Sequence, residues 1–436
     1  MNIRWFSYII FVLLAFAAGC ASFPVPNRSS TAIPSVQHQN LSVTATATFA
    51  ATATVGAIPP TVVDKLQRVV YAKGGAIWLW DAATVSPKQL TSFRGDNPAT
   101  PFKEQDQSPK ISDDGQVIAF IRDNNLWAMD GRGENQRMLV SAADLASLSR
   151  STAGMYYLPR QFDFARRSHD VYFNIATMMK DTTDPEFNLA KVSADSPGVR
   201  ALLNDSQGGE DFVFSPDGTK IALPRSNKIN VVNADGTGLK TIFSFQPIKM
   251  KDAAFYIPEI VWLPDGSGFK TVIPGPDPAA PTRFVFISSD GAIVAKLAEF
   301  NASPFFVGHP FISPDGSRVL YTKTHGTGLE LHVIDAGTAD KTYFSHAADA
   351  FKIFGWAPDS RNFLCEMDGA TWLVSQAGSL TELSDMSDVE KLVWVDAQHF
   401  LFVAHDSSLR YRSLSQPGVV LDDGLDDGTF DFVAAP

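Results

Sequence analysis

The sequence has few cysteines and few charged residues for its length, with 2 cysteines and 19% charged side chains among 436 residues. Two cysteines exclude a disulfide framework, and the Cys and His clusters of a structural zinc site are absent from the sequence. Repeated apolar runs of about 20 residues, which a multi-span membrane protein needs, are also absent. The chain must therefore hold its core together by burial, for which 45% apolar and 11% aromatic residues are sufficient.

Basic residues and catalytic motifs are scarce as well. The 36 Lys and Arg residues against 47 Asp and Glu give a net charge of −11. This balance does not supply the basic surface that phosphates require, so we expect no nucleic-acid partner. The sequence contains neither a G-x-S-x-G nucleophile elbow nor an H-E-x-x-H motif, and its 8 histidines are scattered singly. We therefore predict no catalytic residues, no metal and no cofactor.

The first twenty residues have the anatomy of a secretory signal, with a basic start at Arg4, an uncharged apolar stretch and small residues before a cysteine. The ending Ala17-Ala18-Gly19-Cys20 resembles the lipobox of bacterial lipoproteins. This resemblance implies that residues 1–19 are removed and that Cys20 is acylated, so that the exported protein is anchored to a bacterial membrane outside the cytoplasm. An ordinary cleaved signal and an uncleaved anchor are the alternatives.

Residues 20–66 differ in composition from the rest of the chain. They are rich in Ser, Thr, Ala and Pro, carry few charges and have no helical or strand period. Burial in such a segment does not offset the entropy lost on ordering, so we expect a flexible tether. Residues 67–436 are predicted to form one domain.

A turn motif recurs through that domain. Its clearest copies are Ser215-Pro216-Asp217-Gly218, Leu263-Pro264-Asp265-Gly266 and Ser313-Pro314-Asp315-Gly316. An alternating apolar run precedes each copy, and a β-branched or aromatic run follows it. Pro and Asp-Gly supply the backbone angles of a tight hairpin. With degenerate copies included, the spacing is 38 to 53 residues, which is typical of propeller blades.

The repeats predict how many blades the chain forms. Seven complete repeats start near residues 108, 161, 211, 259, 309, 353 and 391. Three strands before them lack an innermost partner, and one strand at residues 429–433 follows them. We therefore predict an all-β propeller of four-stranded antiparallel blades. We predict eight blades, because the C-terminal strand can complete the first one and close the ring; seven blades are the alternative if the ends pair differently.

These repeats resemble those of the TolB-like, or WD40-like, propeller family, which carry the same Ser-Pro-Asp-Gly hairpin. The resemblance covers most of residues 68–421 and implies a propeller. It implies no single function, because this repeat type occurs in translocation complexes, in enzyme accessory domains and in envelope lipoproteins. TolB itself has six blades behind a separate N-terminal domain, where this chain has the tether.

Long connections are predicted to lie together on one face of the propeller, and binding usually resides on such loops. These connections contain aromatic rings beside basic residues, which is typical of interaction hot spots. The alternative is that the rings fold back over the blades, and that a histidine among them bonds a neighbouring blade. The candidate ligand-binding residues are Tyr156, Tyr157, Arg160, Phe255, Tyr256, Phe305, Phe306 and His309.

We therefore expect a non-enzymatic envelope lipoprotein that binds a protein, peptide or glycan through this face. The alternative is a propeller enzyme, such as a sugar lyase or hydrolase, with its site in the central opening. The acidic run at residues 422–428 is interpreted as a solvated turn, with calcium binding as its alternative. Cys365 is interpreted as an inert core thiol.

Overall fold

The fold is described from a computed structural model. It describes residues 63–92, 107–149, 156–179, 182–185, 188–196, 198–204, 207–250, 255–276, 280–301, 311–325, 328–337, 347–348, 351–426 and 428–435. The predicted sites at Cys20, Phe305, Phe306 and His309 lie outside these residues, as does the predicted signal. No helix within the described ranges is both long enough and apolar enough to cross a membrane.

The repeated motif forms a hairpin turn that its own side chains close. In one copy, the Ser215 hydroxyl donates to Asp217 over 2.6 Å. The backbone N–H of Thr219 also donates to Asp217 over 3.0 Å, and that of Lys220 donates to the Ser215 hydroxyl oxygen over 2.9 Å. Gly218 has a φ of 72°, which a residue without a Cβ adopts at little cost. The same bonds recur in the turns around Asp114, Asp290 and Asp315.

The strands of the first part of the chain follow the repeat pattern. The opening strands are β1 (Leu66–Lys73), β2 (Ala76–Asp81) and β3 (Ser86–Gln89). A four-stranded blade follows, with β4 (Gln107–Ile111), β5 (Val117–Arg122), β6 (Asn125–Asp130) and β7 (Arg137–Val140). The next blade has five strands, β8 (Tyr156–Phe164), β9 (Asp170–Met179), β10 (Thr182–Pro185), β11 (Leu189–Ser193) and β12 (Val199–Leu203).

Three four-stranded blades come next. The first contains β13 (Val213–Phe214), β14 (Lys220–Pro224), β15 (Lys228–Asn233) and β16 (Lys240–Ser244). The second contains β17 (Val261–Trp262), β18 (Gly268–Ile273), β19 (Thr282–Ser288) and β20 (Val294–Phe300). The third contains β21 (Phe311–Ile312), β22 (Arg318–His325), β23 (Gly328–Asp335) and β24 (Ala347–Ala348).

Two further blades and one single strand end the chain. The blades are formed by β25 (Phe351–Trp356), β26 (Asn362–Met367), β27 (Ala370–Ser375) and β28 (Leu380–Glu382), then by β29 (Val389–Trp394), β30 (His399–Ala404), β31 (Leu409–Ser413) and β32 (Gln416–Asp422). The last strand, β33 (Phe430–Ala434), pairs antiparallel with β1, so that Phe432 lies opposite Val69.

The protein is thus an all-β propeller of four-stranded antiparallel blades, as the repeats predict. Seven of its sheets are built from consecutive strands, and a further sheet has the order β3-β2-β1-β33. The strands of each sheet pair in antiparallel succession, and the five-stranded sheet differs because β9 pairs with β8, β10 and β11.

One helix interrupts a connection that the sequence analysis treats as a loop. Helix α1 (Ala142–Leu148) starts at a capping box in which Asp144 N–H donates to the Ser141 hydroxyl over 3.1 Å and Ser141 N–H donates to Asp144 over 2.9 Å. Leu145 is buried among side chains of the β4–β7 and β8–β12 sheets. The cap, the buried Leu145 and the bond from Ala142 N–H to Asn125 therefore hold this helix in place.

Neighbouring blades pack through clusters of buried apolar side chains, in which a tryptophan recurs. In three blades a tryptophan is the last residue of the first strand, and its ring packs edge-on against a phenylalanine of the second strand. The pairs are Trp262–Phe269, Trp356–Phe363 and Trp394–Phe400, with ring centroids 5.1 to 5.2 Å apart. The indole N–H groups of Trp262 and Trp394 donate to carbonyls of the preceding blade, at Val213 and Gly355. The tryptophan therefore joins two blades.

Candidate binding face

The two ends of the blades carry different connections. One end, the turn face, carries the turns between first and second strands and between third and fourth strands. The other end, the loop face, carries the turns between second and third strands and, within the described ranges, the connections between blades. Residues 204–212 and 245–260 are two of these connections. The long connections therefore share the loop face, because antiparallel strands alternate in direction.

The four aromatic candidates within the described residues divide into two kinds. Tyr156 is 44% exposed at the start of β8. Phe255 is 46% exposed, and its backbone forms an antiparallel β-bridge with Lys249. Tyr157 is buried in the cluster between the β4–β7 and β8–β12 sheets. Tyr256 is buried as well, and its hydroxyl donates to the Val272 carbonyl over 2.8 Å. Only Tyr156 and Phe255 present their rings to solvent, whereas Tyr157 and Tyr256 fold back over the blades.

Arg160 forms part of a polar cluster between two blades. Its guanidinium donates to the Glu210 carbonyl and lies 3.3 Å from a carboxylate oxygen of Asp211. Asn174 donates to the same Glu210 carbonyl over 2.9 Å, and its own side-chain oxygen accepts from Gln161 N–H over 3.0 Å. Arg160 is thus held at the loop face by the connection that leads to β13.

The Glu210 carboxyl has an altered acidity in this cluster. Burial raises the pKa of Glu210, and the charge of Asp211 raises it further, while Arg160, Arg225 and the backbone N–H of Ser226 lower it. The net effect is a raised pKa. The loop face therefore contains a partly desolvated carboxyl group close to two guanidinium groups, an arrangement that occurs often at functional sites.

Sequence reasoning identified Arg160 but missed Glu210, Asp211 and Arg225. The available signal was the pair Gly208-Gly209 directly before the two acidic residues. A Cβ on Gly209 would lie 2.6 Å from the Asp211 carbonyl oxygen and 2.9 Å from the Leu223 backbone. Glycine is therefore required there, because any side chain would collide with backbone atoms.

Glu259 is a second carboxyl group with an altered pKa, near the innermost strands. It precedes β17 and accepts a hydrogen bond of 3.2 Å from Ile312 N–H, in the first strand of the next blade. Burial raises the pKa of Glu259 to about 8, although the bond from Ile312 opposes this. The side-chain oxygens of Gln161 and Asp431 accept comparable bonds from Phe212 N–H and Ile111 N–H. Glu259 thus belongs to a set of side chains that tie innermost strands together.

The acidic run after β32 contacts the first sheet. Lys73 lies 2.8 Å from Asp422 and 3.0 Å from Asp423, and the Tyr71 hydroxyl donates to Asp422 over 2.6 Å. Gly75 N–H donates to Asp426 over 2.7 Å. These carboxylates have protein donors as partners, as expected for a turn. Within the described ranges, no group of three or more His, Cys, Asp or Glu residues has an arrangement that could hold a metal ion.

Cys365 lies in the core, in β26. Its side chain is fully buried between the β21–β24 and β25–β28 sheets. Burial raises the pKa of its thiol to about 12, so the nucleophilic thiolate is essentially absent near neutral pH.

The turn face carries a histidine between two carboxylates. His169 Nδ1 lies 2.9 Å from Asp195 of the same blade, and Nε2 lies 3.1 Å from Asp114 of the preceding blade. Burial lowers the pKa of His169, but the hydrogen bonds to Asp195 and Asp114 and their charges outweigh it, so the net pKa is raised. In its protonated form the imidazole donates to one carboxylate in each of two blades.

We expect this link to weaken at alkaline pH. Because the folded pKa exceeds the unfolded value of about 6.5, the stabilisation is complete below that value and is lost as the pH rises through the folded pKa. His169→Gln should thus lower the stability by at most about 1 kcal/mol at pH 5.5, since both carboxylates are largely exposed, and by less at pH 9. Thermal unfolding against pH measures this. The control is His405→Gln, at an 82% exposed side chain; a pH-independent difference for His169→Gln would contradict the prediction.

No protein-family model matches the chain, and no curated protein sequence matches it either. The solved structures that resemble it include a eukaryotic initiation factor, which is 11% identical over 81% of this chain and 95% of that chain, with a TM-score of 0.48. An oligogalacturonate lyase in complex with manganese is 16% identical over 72% and 90%, with a TM-score of 0.41. TolB from Acinetobacter baumannii is 15% identical over 62% and 61%, with a TM-score of 0.31. At these identities the likeness concerns the propeller fold alone.

Proposed function

We propose that this protein is a non-enzymatic binding module that holds a protein or peptide on its loop face. The observation that carries the proposal is the position of the two exposed aromatic rings. Tyr156 follows the connection before β8, and Phe255 lies in the connection before β17. The connection between these two carries Glu210 and Asp211. Exposed aromatic rings that share one face with partly buried charged groups are typical anchors of protein interfaces.

The strand pairing supports this choice of surface. β9 pairs with β11 only through residues 170–173, whereas its residues 176–179 pair with β10. β8 follows β9 along nearly its whole length, as far as Tyr156 opposite Met178. The three strands β8, β9 and β10 therefore continue past the four-stranded part of the blade, and Tyr156 lies at the end of this extension.

We further infer that the scaffold is a closed ring of eight blades, with β33 as its closing strand. The pairing of β33 with β1 supports this, as does the apolar cluster that contains Trp80 of the first sheet and Leu401 and Tyr411 of the last blade. The bond from Tyr71 to Asp422 joins the same two sheets. A closed ring has no free innermost edge and gives the loops a rigid base.

The lipid anchor is the third part of the proposal. We infer that Cys20 carries the lipid, that residues 20–66 form the tether and that the propeller acts outside a bacterial membrane. The small residues before Cys20 and the low charge of the tether support this. The mass of the mature N-terminal peptide tests it, because an unmodified Cys20 would refute the anchor.

The proposed binding function predicts that replacing the two exposed aromatic side chains by alanine strongly weakens binding of the partner. Tyr156→Ala combined with Phe255→Ala should weaken capture of the partner at least about 30-fold, because loss of a hot-spot anchor costs about 2 kcal/mol or more. Quantitative cross-linking and pull-down from the envelope fraction measures this. Met138→Ala with Leu380→Ala is the matched control, since these side chains are 45% and 39% exposed on outermost strands. Equal capture by both double variants would overturn the assignment of the face.

Glu259 is the one observation that favours an enzyme with its site in the central opening, because strongly shifted pKa values are common among catalytic groups. Glu259 accepts its bond from Ile312 N–H in the same way that the Gln161 side-chain oxygen accepts from Phe212 N–H and Asp431 accepts from Ile111 N–H. Since a glutamine makes a comparable link, the position requires no ionisable group. We therefore assign Glu259 to the scaffold.

A further inference from the structure

We propose that the loop-face end of the β13–β16 blade docks an acidic peptide segment of the partner. The inference rests on the proposed binding function and adds the chemistry of the partner. The surface comprises Arg225, Lys228, Lys249 and Phe255, and we call it the cationic corner.

Backbone hydrogen bonds hold the two segments of the cationic corner together. Arg225 N–H donates to the Lys228 carbonyl over 2.9 Å in the turn between β14 and β15. The connection that follows β16 is fixed to this turn, because Phe245 N–H donates to the Asn227 carbonyl over 2.9 Å. Within the same connection, Lys249 and Phe255 pair through an antiparallel β-bridge. The basic residues and the exposed ring thus come from one structural unit.

The charge of the cationic corner is opposite to that of the chain. The protein has a net charge of −11, yet neither Lys228 nor Lys249 makes an ion pair with any carboxylate in the described ranges. Glu210, whose N–H donates to the Pro224 carbonyl over 3.1 Å, lies on the adjoining connection. A local surplus of basic groups attracts carboxylates and repels basic partners.

The aromatic side chains at the cationic corner and next to it favour a peptide over a glycan. Phe243 and Phe245 stack with their ring centroids 6.2 Å apart and are partly buried, while Phe255 is 46% exposed. Phenylalanine donates no hydrogen bond to the hydroxyl groups of a glycan, whereas its ring packs well against the apolar side chains of a peptide. In a peptide whose carboxylates alternate with apolar side chains, the carboxylates pair with the lysines and the apolar side chains pack against the rings.

The test uses labelled probes on the purified protein. Fluorescence anisotropy compares the peptide Glu-Phe-Glu-Leu-Glu-Phe-Glu-Glu with its counterpart in which every Glu is Lys, and with hyaluronate fragments of equal charge. We expect the acidic peptide alone to bind and higher salt to weaken its binding. Lys228→Glu with Lys249→Glu should weaken its binding at least 10-fold. Lys88→Glu with Lys323→Glu makes the same charge change at two other exposed lysines and should retain binding within about 3-fold.

Each other outcome would overturn the proposal. Binding of the basic peptide, preferential binding of hyaluronate, or an equal loss in both charge-reversed variants would exclude a specific acidic-peptide site. Failure of this inference is distinct from failure of the binding function. If Tyr156→Ala with Phe255→Ala abolishes partner capture but the acidic peptide does not bind, the loop face still binds and only the chemistry of the partner is wrong.

Discussion

Truncation of the chain after Gly428 is expected to abolish cooperative folding. The deletion removes β33, which pairs with β1 from Leu66 to Tyr71 and buries Phe430, Phe432 and Val433. Burial of such side chains contributes about 1.5–3 kcal/mol each, so their loss amounts to roughly 5–9 kcal/mol. That is comparable with the whole stability of an ordinary domain, about 5–15 kcal/mol. The loss also exposes the inner edge of β1.

Denaturant unfolding followed by circular dichroism and tryptophan fluorescence measures this effect. Deletion of Pro436 alone is the control, because it leaves β33 complete. A synthetic peptide of residues 429–435 should restore the unfolding transition of the truncated protein, which distinguishes specific ring closure from a general loss of solubility. If the truncated protein unfolds at the denaturant concentration of the full chain, β33 does not close the ring.

The hairpins were predictable because their energetics are local. Ser, Asp and Gly within five residues supply all the bonds of the turn, so the copies at 215–218 and 313–316 could be located from sequence alone. Helix α1 was missed because its signals, one capping box and one buried leucine, are too short to stand out. A seven-residue helix depends on packing rather than on propensity.

The aromatic candidates show how strand boundaries decide exposure. The repeat pattern predicts that Tyr156 and Tyr157 both lie in a loop, but β8 already begins at Tyr156. Successive side chains of a strand point to opposite faces, so Tyr157 is buried where Tyr156 is exposed. Phe255 and Tyr256 divide in the same way beside their β-bridge. A prediction that treats such neighbours as one aromatic patch therefore assigns one ring of each pair to the wrong environment.

The polar cluster around Glu210 was beyond sequence reasoning for a different reason. Its members come from β8, β9, the connection before β13 and the turn after β14. These segments are far apart in the chain, and none of them carries a motif. Their proximity depends on how two blades meet, which the repeat pattern does not encode.

Replacement of Trp394 by alanine is expected to destabilise the packing between two blades strongly. The side chain is buried, packs edge-on against Phe400 with ring centroids 5.2 Å apart, and donates to the Gly355 carbonyl of the preceding blade over 3.3 Å. Removal of a buried tryptophan side chain lowers the stability by about 3–5 kcal/mol, because the hydrophobic free energy of its buried surface is lost and a cavity remains. Urea unfolding measures the loss, and Trp372→Ala, at a partly buried indole, should cost less.

Trp394→Phe separates packing from hydrogen bonding at this interface. Phenylalanine keeps most of the contact with Phe400 but leaves the Gly355 carbonyl without its indole donor, so the cost should fall to about 1–3 kcal/mol. If both substitutions at Trp394 cost the same, the donor would account for the whole effect and the ring contact for none. A cost at Trp394→Ala as small as that at Trp372→Ala would contradict the role of the repeated tryptophan as a link between blades. An intermediate cost for phenylalanine is expected because the indole both fills the space between two blades and bonds across it.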